Sequence, residues 1–146
     1  MSLLLTHTYF LFEDAKEKSI MRPYAPLGLL YISGYLNKYN IENHVYDSTF
    51  YSKTEQLNFI KEKQPKAIAI YTNLMTKINV IKLIKILKTE ANYGFPTIIL
   101  GGPDVTYNLE NYLNTGADYI IIGEGEQTTL ELYNAIANNE EVSRIT

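Results

Sequence analysis

Cysteine is absent from the 146 residues. That excludes disulfides, thiolate metal sites and any iron–sulfur cluster held by this chain alone. No apolar run approaches the ~20 residues needed to span a bilayer. The opening stretch, MSLLLTHTYFLFED, lacks the basic flank and small-residue cleavage site of a secretory signal. The cytoplasm is therefore the expected location, with no membrane partner. A concentrated basic patch is missing too. Thirteen Lys and Arg are scattered against 16 Asp and Glu, for a formal net charge of −3, so no nucleic-acid partner is expected. Glycine is missing from residues 10–26, the first long segment between apolar runs.

What is present is ordinary for a globular domain: 46% hydrophobic and 20% charged residues. The length suits one domain that buries roughly 70% of its unfolded surface. Strand-like runs at residues 3–9, 43–47, 67–72, 97–100 and 118–122 alternate with helix-like segments at 27–39, 53–63, 77–92, 106–114 and 126–138. Several strands, such as AIAIY, are nearly unbroken apolar runs, as in strands covered on both faces. In the third helix Val80, Ile81, Ile84 and Leu87 form an apolar stripe, and Lys82, Lys85 and Lys88 read as its solvated face. Ser52 and Glu55 fit a capping box, and Gly94 and Gly116 fit helix stops.

Strict alternation predicts an α/β fold: a Rossmann-like, flavodoxin-like parallel sheet of five strands, order 2-1-3-4-5, with helices on both faces. Ligands in such sheets bind beyond the carboxyl ends of the strands. The irregular loops all lie there. A connection of about 15 residues follows the first strand, and loops of that length are commonly functional. The segment TNLMT follows the third strand, and glycine clusters follow the fourth and fifth.

Each candidate has two readings. Gly101 and Gly102, in IILGGPD, either make a turn requiring positive φ or leave bare main chain for a flat ligand. A second cluster one strand away, GEGE, favours the ligand. Glu124 and Glu126 in that cluster would repel an anion but suit the positive end of a helix. They read as caps or as contacts to another domain, with Gly123 and Gly125 as backbone spacers. As an acid/base pair they lack a nearby nucleophile. Thr72, Asn73 and Leu74 either meet a ligand or cap the next helix. His7 and His44 are each isolated in the sequence and are assigned to no metal. Tyr31, Tyr35 and Tyr39 recur at helical spacing and read as core or partner packing.

Three segments occur in an order shared with a known family: PLGLLYISGYL at residues 26–36, Gly101-Gly102-Pro103, and Gly123-Glu124-Gly125-Glu126. The chain resembles the N-terminal cobalamin-binding domain of cobalamin-dependent radical S-adenosylmethionine (SAM) enzymes, from the first strand to about Asn138. The resemblance implies a cofactor, cobalamin, whose nucleotide tail runs down a cleft beside the sheet while the corrin faces a following barrel. It implies cofactor-binding roles for Thr72, Asn73 and Leu74 at the family's Ser/Thr-x-Leu position. It implies the same for Gly101, Gly102 and Pro103 beside the tail, and for Gly123, Glu124 and Gly125 near the last helix. Gly102→Val is expected to abolish retention and spare the fold.

The chain departs from the family in two places. The Asp-x-His-x-x-Gly motif that supplies a lower axial histidine is absent, so the lower face of the corrin takes water, another side chain or nothing. The barrel's Cys-x-x-x-Cys-x-x-Cys site is also absent. Residues 1–146 are thus expected to be one cobalamin-binding-like domain of a longer protein, partnered by its own C-terminal radical SAM barrel. SAM and the iron–sulfur cluster would belong to that barrel, and this chain alone would not be catalytic. The complete enzyme would perform methyl transfer or a related radical reaction.

Rival readings fail on particular residues. A phosphoacceptor receiver needs an Asp ending the third strand and a Lys ending the fifth, where Tyr71-Thr72 and Ile122-Gly123 stand. A flavodoxin's phosphate loop and a dinucleotide fold's Gly-x-Gly-x-x-Gly are missing after the first strand. The remaining alternative is a non-catalytic interaction module of the same fold that has lost its cofactor.

Overall fold

Side chains alternate between two faces along each strand, and the sequence loads both faces with aliphatic residues. In the computed structural model, which describes residues 2–21, 23 and 25–142, this produces a sheet buried on both sides. The strands are β1 (Leu3–His7), β2 (Asn43–Tyr46), β3 (Ala67–Tyr71), β4 (Thr97–Gly101) and β5 (Tyr119–Ile120). They run parallel in the order β2-β1-β3-β4-β5, as the alternation predicts. Central pairing is in continuous register from Ala67↔Thr97 to Tyr71↔Gly101. β5 pairs over two residues only, Ile99↔Tyr119 and Leu100↔Ile120.

The helices are α1 (Ala15–Ile20), α2 (Leu27–Lys38), α3 (Lys53–Lys63), α4 (Lys77–Thr89), α5 (Leu109–Thr115) and α6 (Glu126–Asn138). One core lies between the sheet and α3, α4 and α5, where Leu4, Ile68, Ile98 and Leu100 meet Ile60, Val80, Ile84 and Tyr112. The other lies beneath α2 and α6, where Leu3, Leu5, Ala69, Ile99 and Ile121 meet Leu29, Leu36, Leu130 and Tyr133. This second face carries the site.

Local signals hold up at several ends. Ser52 and Glu55 form the reciprocal capping box of α3, at 3.1 and 2.7 Å. Gly116 closes α5. Four expectations need correction. The helix expected over residues 77–92 ends at Thr89, because Glu90 is extended and a 3-10 turn, Ala91–Tyr93, swings Tyr93 into the core; Gly94 ends that turn instead. The helix expected over 106–114 is a 3-10 turn, Pro103–Thr106, followed by α5. The break arises because Asp104 is buried and accepts hydrogen bonds from the Tyr112 hydroxyl (2.5 Å) and the Asn108 amide (3.1 Å). The long first loop contains a 3-10 turn, Leu11–Glu13, and α1, whose cap is Asp14, accepting from the Lys16 and Glu17 amides at 3.1 Å. Lys88 is not a free solvated charge: it donates to Asp118 at 2.6 Å, and the same carboxylate oxygen accepts the Ile98 amide at 2.8 Å.

Candidate functional site

At the carboxyl edge the face under α2 and α6 is left open. Beyond the last core side chains, Ala69 on β3, Gly101 on β4 and the 121–125 segment after β5 present little bulk. Leu29 and Ile32 of α2 and Thr129 of α6 form the opposite wall of a trough of about 250 Å³. A wider cavity of about 600 Å³ lies beside it, lined by His7, Tyr9, Thr49, Asn73 and Met75 from the strand ends and by Glu17, Pro23 and Ala25 from the first loop. Gly28, Leu29 and Tyr71 line both spaces, so the two adjoin.

The two adjacent glycines do different things. Gly101 ends β4 on the α2/α6 side; a Cβ added there meets only the Ile121 carbonyl, at 3.8 Å. A side chain at this position would enter the trough. Gly102 has φ +107, and an added Cβ would lie 2.4 Å from the Thr72 carbonyl oxygen and 2.9 Å from its nitrogen. Gly102 is therefore needed for the close approach of β4 to β3, where Thr72 N–H donates to Gly101 O at 2.8 Å and Asp104 N–H to Thr72 O at 3.4 Å. The expectation that Gly102→Val spares the fold is wrong for that reason. Gly123, at φ +83, has open space where a Cβ would stand.

The other expected residues divide. Gly123, Glu124 and Gly125 line the trough. Thr72 is fully buried and turns its hydroxyl to Ile70 O at 3.3 Å. Asn73 lines the wider cavity and also closes a turn before α4: its side chain accepts the Thr76 amide at 3.0 Å, and its own amide donates to the Thr76 hydroxyl at 3.1 Å. Leu74 is 78% exposed and, with Pro103, which opens a 3-10 turn, lines neither space. Neither Glu124 nor Glu126 caps α6, whose N-terminus at Gly125 has no side-chain cap. Its first amides have no side-chain acceptor at the cap.

Sequence reasoning missed Ala69, Ile99, Ile121, Leu29, Ile32 and Thr129. Period-two alternation back from Gly101 finds Ile99, and the four-residue helical step from Gly125 finds Thr129.

His7 is not isolated. It is buried at the floor of the wider cavity, and the Tyr9 amide donates to its Nδ1 at 3.1 Å. The proton therefore resides on Nε2, which donates to Asp47 Oδ1 at 2.7 Å. Both ring nitrogens are thus engaged. Ser48 lies 3.2 Å from Nδ1, but that lone pair is taken, and the buried hydroxyl donates to the Tyr9 carbonyl at 2.8 Å. Ser48, His7 and Asp47 fasten the end of β1 to the turn after β2 and make no nucleophile. Burial works to raise the Asp47 carboxyl, but hydrogen bonds from the Thr49 hydroxyl and amide and from His7 outweigh it and hold the group below the usual range. His44 pairs with Glu42 at 3.7 Å on the surface. Among the described residues no three His, Cys, Asp or Glu converge on a metal position, and no helix is long and apolar enough to cross a membrane.

The structure is similar to part of OxsB, a cobalamin-dependent S-adenosylmethionine radical enzyme solved with aqua-cobalamin and S-adenosylmethionine bound. The TM-score is 0.82 at 15% identity, over 99% of this chain and 20% of that one. This chain thus spans about a fifth of the OxsB chain. It is also similar to the chemotaxis response regulator CheY4 of Vibrio cholerae, with a TM-score of 0.57 at 14% identity, over 93% of this chain and 98% of that one. At these identities both likenesses speak for the fold alone. No curated protein matches the sequence. A family model described as the B12 binding domain matches residues 19–133, and this chain belongs to the B12-binding domain family.

Proposed function

We propose that this domain holds cobalamin, with the nucleotide tail in the trough and the corrin over the wider cavity, as part of a longer radical SAM enzyme. The observation that carries the reading is the trough at the tips of β4 and β5. Its volume, about 250 Å³, falls below the ~300 Å³ of the smallest drug-sized sites. It therefore suits one flat group and not a whole corrinoid. The adjoining cavity, about 600 Å³, is the room for the rest. A cradle that a Cβ at Gly101 would fill is what a bulky, partly apolar tail requires.

In this reading Gly101, Gly123, Gly125 and Ala69 supply bare wall, and Leu29, Ile32, Ile99 and Ile121 supply apolar contact. The uncapped first turn of α6 would offer amides to neutral oxygens of the tail, such as ribose hydroxyls. Asn73 and the His7–Asp47 pair shape the floor under the corrin. Bound cobalamin would supply alkyl-transfer or radical chemistry; the protein orients it and keeps water from one face. The carboxyl edge also carries an apolar rim, with Leu27, Ile78, Tyr107 and Ile122 between 55% and 85% exposed. That rim supports a covering partner, the following barrel, which would bring SAM and the iron–sulfur cluster. The complete gene is then expected to encode a Cys-x-x-x-Cys-x-x-Cys segment soon after residue 146.

The test is retention. The protein is mixed with excess hydroxocobalamin, desalted, and its visible spectrum read. Co-eluting corrin absorbance near one equivalent is the expected result. No retained absorbance, together with no cysteine triad in the complete gene, would favour the interaction module instead.

A further inference from the structure

Six threonines are buried, and five of their hydroxyls have a hydrogen-bond partner. Thr6 donates to Tyr46 O at 2.7 Å, Thr8 to Thr76 O at 3.3 Å and Thr49 to Asp47 at 2.5 Å. Thr72 bonds Ile70 O and Thr76 bonds Asn73 O, each at 3.3 Å. Thr129 is the exception. It is 1% exposed, its amide is spent on Gly125 O at 2.8 Å, and its hydroxyl has no partner among the described residues. It is not sealed in the core either, because every sealed side-chain polar atom among the described residues is partnered. Thr129 lines the trough, with Oγ1 3.7 Å from where a Cβ on Gly125 would stand. The hydroxyl is thus free of partners among the described residues and open to the trough, and its place on an otherwise aliphatic wall points to a ligand atom.

The surroundings restrict that atom. Leu29, Ile32, Ala69, Ile99 and Ile121 make the slot apolar, no Lys, Arg or His among the described residues lines it, and Glu124 and Glu126 are among its lining residues. An anion is disfavoured there. A flat neutral heterocycle with a polar ring atom is favoured.

Resting on the cobalamin reading above, we propose that Thr129 is a specificity residue: its hydroxyl bonds a ring nitrogen of the base that ends the nucleotide tail, so the chain ranks corrinoids by their base.

Affinities are measured by visible absorbance for four corrinoids: cobalamin with dimethylbenzimidazole, the adenine analogue, a phenolic analogue with no ring nitrogen, and cobinamide with no base. A nitrogen base must first leave the cobalt to reach the trough, a cost set by the corrinoid and cancelled when two protein variants are compared on the same corrinoid. Thr129→Val should therefore weaken each nitrogen-base corrinoid by on the order of fivefold to tenfold, the range of one neutral hydrogen bond, and leave the phenolic analogue and cobinamide unchanged. Thr129→Ser should restore most of the loss. Without ligand, the Val variant should melt near the wild-type temperature, since the hydroxyl has no partner among the described residues to lose. Nitrogen-base affinities unchanged in Thr129→Val, or weakened no more than those of the phenolic analogue and cobinamide, overturn the role of Thr129 alone. Failure to bind any of the four, cobinamide included, overturns the cobalamin reading and this proposal with it.

Discussion

A methyl group added at Gly101 and one added at Gly102 meet opposite fates. At Gly101 it faces the trough with nothing nearer than 3.8 Å; at Gly102 it strikes main-chain atoms of Thr72 at 2.4 Å. Gly101→Val should fold normally, with a melting temperature equal to or above wild type because valine suits a strand better than glycine, and should lose cobalamin retention. Gly102→Ala should cost at least about 3 kcal/mol in denaturant unfolding, with strain at positive φ added to a clash that backbone cannot relieve. The sequence showed two glycines at a strand end but not their division of labour. Adjacent residues on a strand point to opposite faces, and which face holds the void depends on where α2 and α6 settle. Thr129 was illegible for a related reason: an unpaired hydroxyl is visible only once every possible partner has been placed.

At the scale of elements, the junction between β4 and α5 depends on a polar anchor. Tyr112 is fully buried and its hydroxyl donates to Asp104. Burial, then the hydrogen bond to Asp104 and its charge, push the phenol far above its ordinary value. A raised phenol contributes stability that is complete below its unfolded pKa, about 10, and is lost as pH climbs beyond it. Tyr112→Phe should cost about 1–3 kcal/mol at neutral pH, by leaving a buried carboxylate oxygen unpartnered. It should also flatten the fall in urea midpoint above about pH 10. Asp47 acts in the opposite sense. Its lowered carboxyl contributes stability above about pH 4 that disappears on acidification, so Asp47→Asn should show a shallower acid limb in the same titration. α1 buries none of its residues and should exchange its amides fastest of the helices, whereas β1, β3 and β4, buried on both faces, exchange slowest. Element order and strand partners were legible because apolar runs and capping signals are local. The ends of α4 and the start of α5 were not, since a buried tyrosine and a buried aspartate, far from the pattern's reach, decide them.

For the whole molecule, the sheet divides labour between its two ends. Amino-end connections are fastened, as where Asp118 holds the Ile98 amide and Lys88. The carboxyl end gathers the trough, the wider cavity and the apolar rim. The fold rule located that end from sequence alone, while the void itself arose from packing of α2 and α6 against β3, β4 and β5. The most direct test is a structure of this protein determined with hydroxocobalamin. The account predicts the tail's base lying flat between the tips of β4 and β5 and the first turns of α6, in contact with Gly101 and Thr129. A corrinoid bound elsewhere, with the trough closed by the protein's own side chains, would contradict it.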